Sequence, residues 1–338
     1  MTTSRRVWML ALAAVLGSTA AWADDDADLA ARSRALERAQ AAVVGVRTVA
    51  VEDARSAATL GPMRLGSGVV IDRDGLVLTI GYLVLEAEQV QLVIDAHRTI
   101  PARVLGYDVA SGFGLVQALV PLGIEPAPLG RARQLGIHAE PLMVASGGED
   151  SIVSAVELVS RRAFSGYWEY HVDGALFTTP ARRDHSGAGL FNSAGELVGV
   201  GSLVVSDAGG SGTRLPGNMF VPIDLLPPIL DELRVTGSSK LSQRAWLGIN
   251  CVEHNGGLLV VRVSDDSPAD VAGLKIGDTI VGIDGTEVKA LDKLWHTLWD
   301  GGAPEREVRL EIRRDDERKI VKVFSVDRMK TLKRAQGI

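Results

Sequence analysis

Asp184, His185 and Ser186 stand at consecutive positions in "RRDHSGAGLFNSAGELVG", and they are the three residue types that make a serine nucleophile work. A serine hydroxyl attacks a carbonyl only when a base takes its proton and a third group orients that base. Adjacent residues do not supply this. In extended chain neighbouring side chains point to opposite faces, so His185 and Ser186 do not face one another at hydrogen-bond distance. Ser186 is nevertheless displayed as a nucleophile would be, among small residues before a strand and a turn. Any base must come from elsewhere. His97 falls in an expected hairpin turn, His138 near a loop before "PLMVAS", and His171 ahead of the Ser186 segment. For each of these, a surface or packing role is the default against which catalysis is weighed.

Bulk properties narrow the function classes. The chain has 338 residues, with 36 Lys and Arg against 42 Asp and Glu, a formal net charge of −6. An acidic chain with no basic cluster argues against nucleic acid as the main partner. Cys251 is the only cysteine, so no intramolecular disulfide forms, and its simplest role is a small buried hydrophobe. The six histidines are scattered and show no zinc spacing. No metal and no cofactor are expected.

Residues 1–23 read as a secretory signal. Arg5 and Arg6 precede an apolar run from Val7 to Leu16, and Ala21-Trp22-Ala23 offers a cleavage site after Ala23. The run is shorter than the ~20 residues that span a bilayer. An exported, periplasmic protein is expected.

The elements that must position Ser186 are short. Residues 24–42 have helical composition and form an N-terminal arm. From Val43 the chain breaks into valine-rich runs such as "AVVGVRTVAVE", "GLVLTI" and "ELVGVGSLVV", separated by Gly, Asp and Pro. Many short strands with close turn signals predict an all-β barrel or sandwich over residues 43–235. "SDAGGSGTRLPG" is a flexible loop by composition, "PIDLLPPILDELRV" a closing helix, and residues 236–244 ("TGSSKLSQR") a linker. Residues 245–329 then carry strands, a short helix opened by Ser267-Pro268 and a longer helix, before a tail at 330–338.

The block from Ala245 to Met329 resembles a PDZ domain of the bacterial protease type, on "WLGI", then "SPADVAGLKIGDTIVGIDGTEV", then a helix. The resemblance implies that Trp246, Leu247, Gly248 and Ile249 form a loop whose backbone N–H groups hold a peptide's C-terminal carboxylate. The peptide adds as a strand beside Ile249 to Val252. Leu291, Leu294, Trp295 and Leu298 on the helix either wall this groove or form the core stripe of an amphipathic helix.

The preceding block resembles the trypsin-fold protease domain of the HtrA (DegP-like) family. The matching stretches are "GSGVVIDRDGLVLT", "VLGYDVASGFGLVQA", "TTPARRDHSGAGLFNSAGELVGV" and "GNMFVPID". The implied fold is mainly β: a trypsin-like double β-barrel followed by a smaller α+β PDZ domain. The implied chemistry departs from the family at its key positions. Tyr82 stands where the catalytic histidine is expected, Gly112 where the aspartate is expected, and only Ser186 persists. The anion site uses the N–H of the residue two before the serine, normally glycine and here Asp184, whose carboxylate would repel developing negative charge. Tyrosine is protonated at neutral pH and a poor base.

The reading that follows is a secreted HtrA-like pseudoprotease. Its PDZ domain would bind protein C-termini or unfolded segments, as an adaptor or regulator of an active HtrA-like protease in envelope protein quality control. A second reading keeps Ser186 as the nucleophile of an active serine endopeptidase with a nonstandard base. A third is an assembly platform, because HtrA-like proteins are commonly homo-trimers.

Overall fold

The computed structural model describes residues 29–210, 212 and 214–333. The signal-peptide reading and the end of the tail lie outside the described residues. Part of the 24–42 arm is helical, over residues 29–41 (α1).

The valine-rich runs form two closed barrels. The first contains β1 (Val43–Ala50), β2 (Met63–Val70), β3 (Leu76–Ile80), β4 (Ala87–Asp95), β5 (Arg98–Tyr107) and β6 (Phe113–Ala118), in the order β1-β2-β3-β6-β5-β4. The second contains β7 (Pro141–Ser146), β8 (Ile152–Gly166), β9 (Tyr170–Thr179), β10 (Gly189–Phe191), β11 (Leu197–Val205) and β12 (Gly217–Pro222), in the order β10-β11-β12-β9-β8-β7. All these pairings are antiparallel, and closure leaves no free sheet edge in either barrel. Every residue of β3 is buried, because one face fills the first barrel and the other meets the Ser186 segment. His97 sits in the β4–β5 turn, as its sequence suggests.

The 3₁₀ turn Ile223–Leu225 and helix α4 (Leu230–Thr236) follow β12. The single closing helix read from "PIDLLPPILDELRV" is therefore split. Pro227 and Pro228 lack the amide hydrogens a continuous helix needs. Leu226, Ile229 and Leu233 bury themselves in the core of the first barrel.

Residues 236–244, read as a linker, are tied down. Ser239 and Ser242 are buried and donate their hydroxyls to the Asp108 carboxylate, from Ser242 at 2.5 Å. The Val109 N–H donates to the Ser242 hydroxyl at 2.9 Å. Polar side chains buried with full partners hold a segment as firmly as apolar ones.

The last domain has β13 (Ala245–Trp246), β14 (Ile249–His254), β15 (Gly257–Val263), β16 (Thr279–Ile283), β17 (Thr286–Glu287), β18 (Glu307–Arg314), β19 (Glu317–Phe324) and β20 (Val326–Asp327). Its main sheet runs β14-β15-β16-β18-β19, so β14 is an edge. In this domain, helix α5 (Pro268–Val271) has Ser267 as N-cap, its hydroxyl accepting from the Asp270 N–H, and helix α6 is Leu291–Asp300. Leu294, Trp295 and Leu298 on α6 are wholly buried with Leu247, Ile249 and Cys251 in this domain's own core, and Leu291 packs partly against it.

Candidate functional site at Ser186 and the 247–249 loop

Ser186 lies in the turn before β10, and its carbonyl accepts the Ser67 N–H at 2.8 Å, which fixes the turn against β2. Gly187 follows with φ +72°, and a Cβ there would come within 2.0 Å of the Ser67 carbonyl. Only glycine fits that approach.

Tyr82 faces the serine. It lies in the short helix α3 (Gly81–Val84), whose carbonyl end is held by Arg64: the guanidinium donates to Tyr82 O at 2.9 Å and Leu85 O at 2.5 Å. The Tyr82 phenol oxygen is 2.8 Å from the Ser186 hydroxyl and 2.9 Å from the Ser202 carbonyl. The phenol has one proton and the carbonyl can only accept, so Tyr82 donates to Ser202 and receives from Ser186. Burial pushes the Tyr82 phenol up to about 12, with the Ser186 hydrogen bond pulling weakly the other way. It is neutral at physiological pH, and a neutral phenol does not take a serine proton.

Nor do the histidines with described partners reach Ser186. His185 turns its Nδ1 to the Arg182 and Arg183 carbonyls, at 3.2 and 3.1 Å, and burial lowers its pKa. His138 pairs with Glu157 at 2.7 Å, and His171 contacts Ser165, Asp173 and His296.

Gly112 adopts φ +82°, and its N–H donates to the Asp108 carbonyl at 2.7 Å. A Cβ at Gly112 would meet the Tyr170 hydroxyl at 2.9 Å, and that hydroxyl donates to the Ser111 carbonyl at 2.8 Å. Tyr170 therefore fills the space into which a side chain at position 112 would project.

Asp184 differs from its sequence reading. Its carboxylate is not left as a bare charge: it accepts from the Ser146 hydroxyl at 2.5 Å and pairs with the Arg182 guanidinium. Burial works to raise this carboxyl, but hydrogen bonds from Ser146, Arg182 and its own backbone N–H outweigh it and hold it below the usual range.

In the PDZ-type domain, the 247–249 loop converges on one acceptor. The Glu169 carboxylate accepts from the N–H groups of Leu247 at 3.0 Å, Gly248 at 2.7 Å and Ile249 at 3.1 Å. Glu169 is 3% exposed, and burial raises its carboxyl against the opposing pull of Arg328 and the three amides. Gly248 sits at φ +85°, where a Cβ would press on the Ser267 side chain at 2.3 Å. Trp246 is half-buried in β13 beside this loop. Neither Glu169 nor Tyr170 stands out in the sequence reading. The available signal is "GYWEYH", three aromatics within four residues of a chain that is 5% aromatic.

Fold and sites together define a trypsin-like double barrel carrying a PDZ domain. Residues 66–200 match the family model for a trypsin-like peptidase domain, and residues 245–324 the model for a PDZ domain. Two curated relatives are "Probable periplasmic serine endoprotease DegP-like" proteins. The one from Ectopseudomonas mendocina (strain ymp) is 28% identical over 77% of this chain and 56% of the relative. The one from Pseudomonas fulva (strain 12-X) is 29% identical over 77% and 55%. The chain thus spans about half the length of the curated relatives it matches. The solved structure "HtrA-type protease AlgW with decapeptide" aligns with a TM-score of 0.54 at 18% identity, covering 88% of this chain and 98% of that one. A serine endoprotease from Yersinia pestis aligns at 0.52 and 20%, covering 88% and 97%. The chain is similar to HtrA (DegP-like) proteins in sequence and in fold.

Proposed function

We propose that the chain is an exported, periplasmic HtrA-like pseudoprotease. Its barrels serve as a scaffold, and its PDZ domain receives protein C-termini or unfolded segments. The carrying observation is the Ser186 hydroxyl bonded to the neutral phenol of Tyr82. Tyr82 is read as standing at the family's histidine position and Gly112 at its aspartate position. Loss of triad members lowers turnover by roughly 10⁴ to 10⁶. Such a protein acts by binding, as an adaptor or regulator of an active HtrA-like protease, and assembles as a homo-trimer through its barrel region.

The other reading is an active serine endopeptidase, in keeping with the names of its relatives. Fluorophosphonate labelling of the whole protein, set beside Ser186→Ala and an active HtrA-type protease, decides between them. The expected result is no Ser186-dependent labelling and no casein cleavage; labelling that vanishes in Ser186→Ala overturns the pseudoprotease reading.

A further inference from the structure

The tip of the β8–β9 hairpin lies along the PDZ-domain edge. The Cys251 N–H donates to the Tyr167 carbonyl at 2.7 Å, Trp168 pairs antiparallel with Asn250, and the Trp295 indole N–H donates to the Gly166 carbonyl at 3.1 Å. Residues 166–168 therefore extend the sheet beside β14, between that strand and α6. The direction of the chain matters. It runs toward the 247–249 loop as the numbering rises, so Glu169 arrives at the loop last and delivers its carboxylate to the three amides. A C-terminal peptide entering such a groove has the same polarity, the same edge pairing and the same terminal group.

We infer that the hairpin tip is an intramolecular ligand of the PDZ groove, with the Glu169 side-chain carboxylate standing where a partner's C-terminal carboxylate would be held. The inference deepens the reading of the PDZ domain as a receptor for chain ends and rests on it in one respect: an incoming chain end must displace the tip. The contacts around the tip suit a seated ligand. The Arg328 guanidinium donates to the Glu169 carbonyl at 2.9 Å, and the His171 and His296 rings meet edge to face with centroids 4.5 Å apart. Tyr167 remains 52% exposed, which leaves the tip accessible to a competitor. Attachment through the chain gives the tip an effective concentration on the order of millimolar, so it masks the groove from weaker free peptides.

The consequence reaches back to the first site. Glu169 and Tyr170 are neighbours in sequence and point to opposite sides, one into the PDZ loop and the other to Gly112. Displacing Glu169 therefore pulls on the residue that fills the space beside Gly112.

The test uses the whole protein as wild type, Glu169→Ala and Glu169→Gln. One readout is amide hydrogen exchange at Leu247, Gly248, Ile249 and Cys251. The other is capture by an immobilised peptide pool with randomised last four residues and free C-termini, beside the same pool amidated. Exchange at the four amides at least tenfold faster in Glu169→Ala is expected, with Glu169→Gln intermediate and barrel amides unmoved. Capture by the free-carboxylate pool is expected to rise at least tenfold over wild type, with none on the amidated pool. Unchanged exchange in both variants, or measurable and equal capture of wild type and Glu169→Ala by the free-carboxylate pool, overturns the inference and leaves the receptor reading standing. Faster exchange with no capture of any variant supports the internal ligand and removes the receptor reading instead.

Discussion

The Ser186 cleft and the 247–249 loop are both places where this architecture would engage a polypeptide, and both are filled from within, but by groups of different kinds. At Ser186 the filling groups are tyrosine side chains. Tyr82 offers a neutral phenol in contact with the serine, and Tyr170 covers Gly112. At the loop every backbone donor is kept and aimed at a carboxylate. On the proposed reading the first site has lost function through its side chains, and it would need several residues exchanged to act. The second is intact and only occupied, so it needs a competitor. On that reading one fold retires a catalytic centre while preserving a recognition site, because catalysis depends on particular side chains and carboxylate recognition on backbone N–H groups.

The sharpest way to break this comparison is at the loop. Gly248→Val places a β-branched side chain at φ +85° and against Ser267. Backbone strain and overpacking together predict a loss of about 2–5 kcal/mol, read as a shifted denaturant midpoint of the PDZ transition. Tolerance of valine within ~0.5 kcal/mol would mean that the loop is not held in the shape that makes it a receptor, and the contrast with Ser186 would fail.

The next test asks whether the first site is really beyond simple repair. Tyr82→His with Gly112→Asp restores the two family residue types, but position 112 has a left-handed backbone and no room beneath the Tyr170 hydroxyl. The double variant is expected to lose about 1–3 kcal/mol of stability and to leave casein uncut. Casein cleavage by this variant, dependent on Ser186, would show that the centre is only two side chains from working.

How much of this could be read in advance differs between the same two regions. The barrel runs, the PDZ segment and the odd residues at positions 82, 112 and 184 are all local patterns of type and spacing, so they are visible in the chain. The contact between Tyr82 and Ser186 spans 104 positions, yet it follows once both are set in a double barrel. Glu169 leaves no such trace. A glutamate at a hairpin tip reads as a solvated surface residue, and its role exists only because amides 78 to 80 positions later close around it. The 236–244 segment misleads for a related reason: its serines read as a soluble linker, while the buried Asp108 carboxylate that binds them lies more than 130 positions earlier. Periodicity reports apolar burial and is silent about buried polar pairs.

The smallest expected effect concerns Asp184 and sharpens what fills the first site. With its carboxylate paired to Arg182 and bonded to Ser146, Asp184 acts as a clamp on the Ser186 turn and not as an isolated repelling charge. A carboxyl whose folded-state pKa lies below its unfolded value adds stability above the unfolded value, and that stability is lost as pH falls through the folded value. The folded value of Asp184 is lowered, so Asp184→Asn should cost about 1–2 kcal/mol at pH 7 and progressively less once the pH drops below the ordinary aspartate range near 4. Urea unfolding of wild type and variant at pH 7 and pH 3 measures the difference. An equal cost at both values would mean that the charge on Asp184 does nothing for the fold. The residue would then matter only for the space it takes.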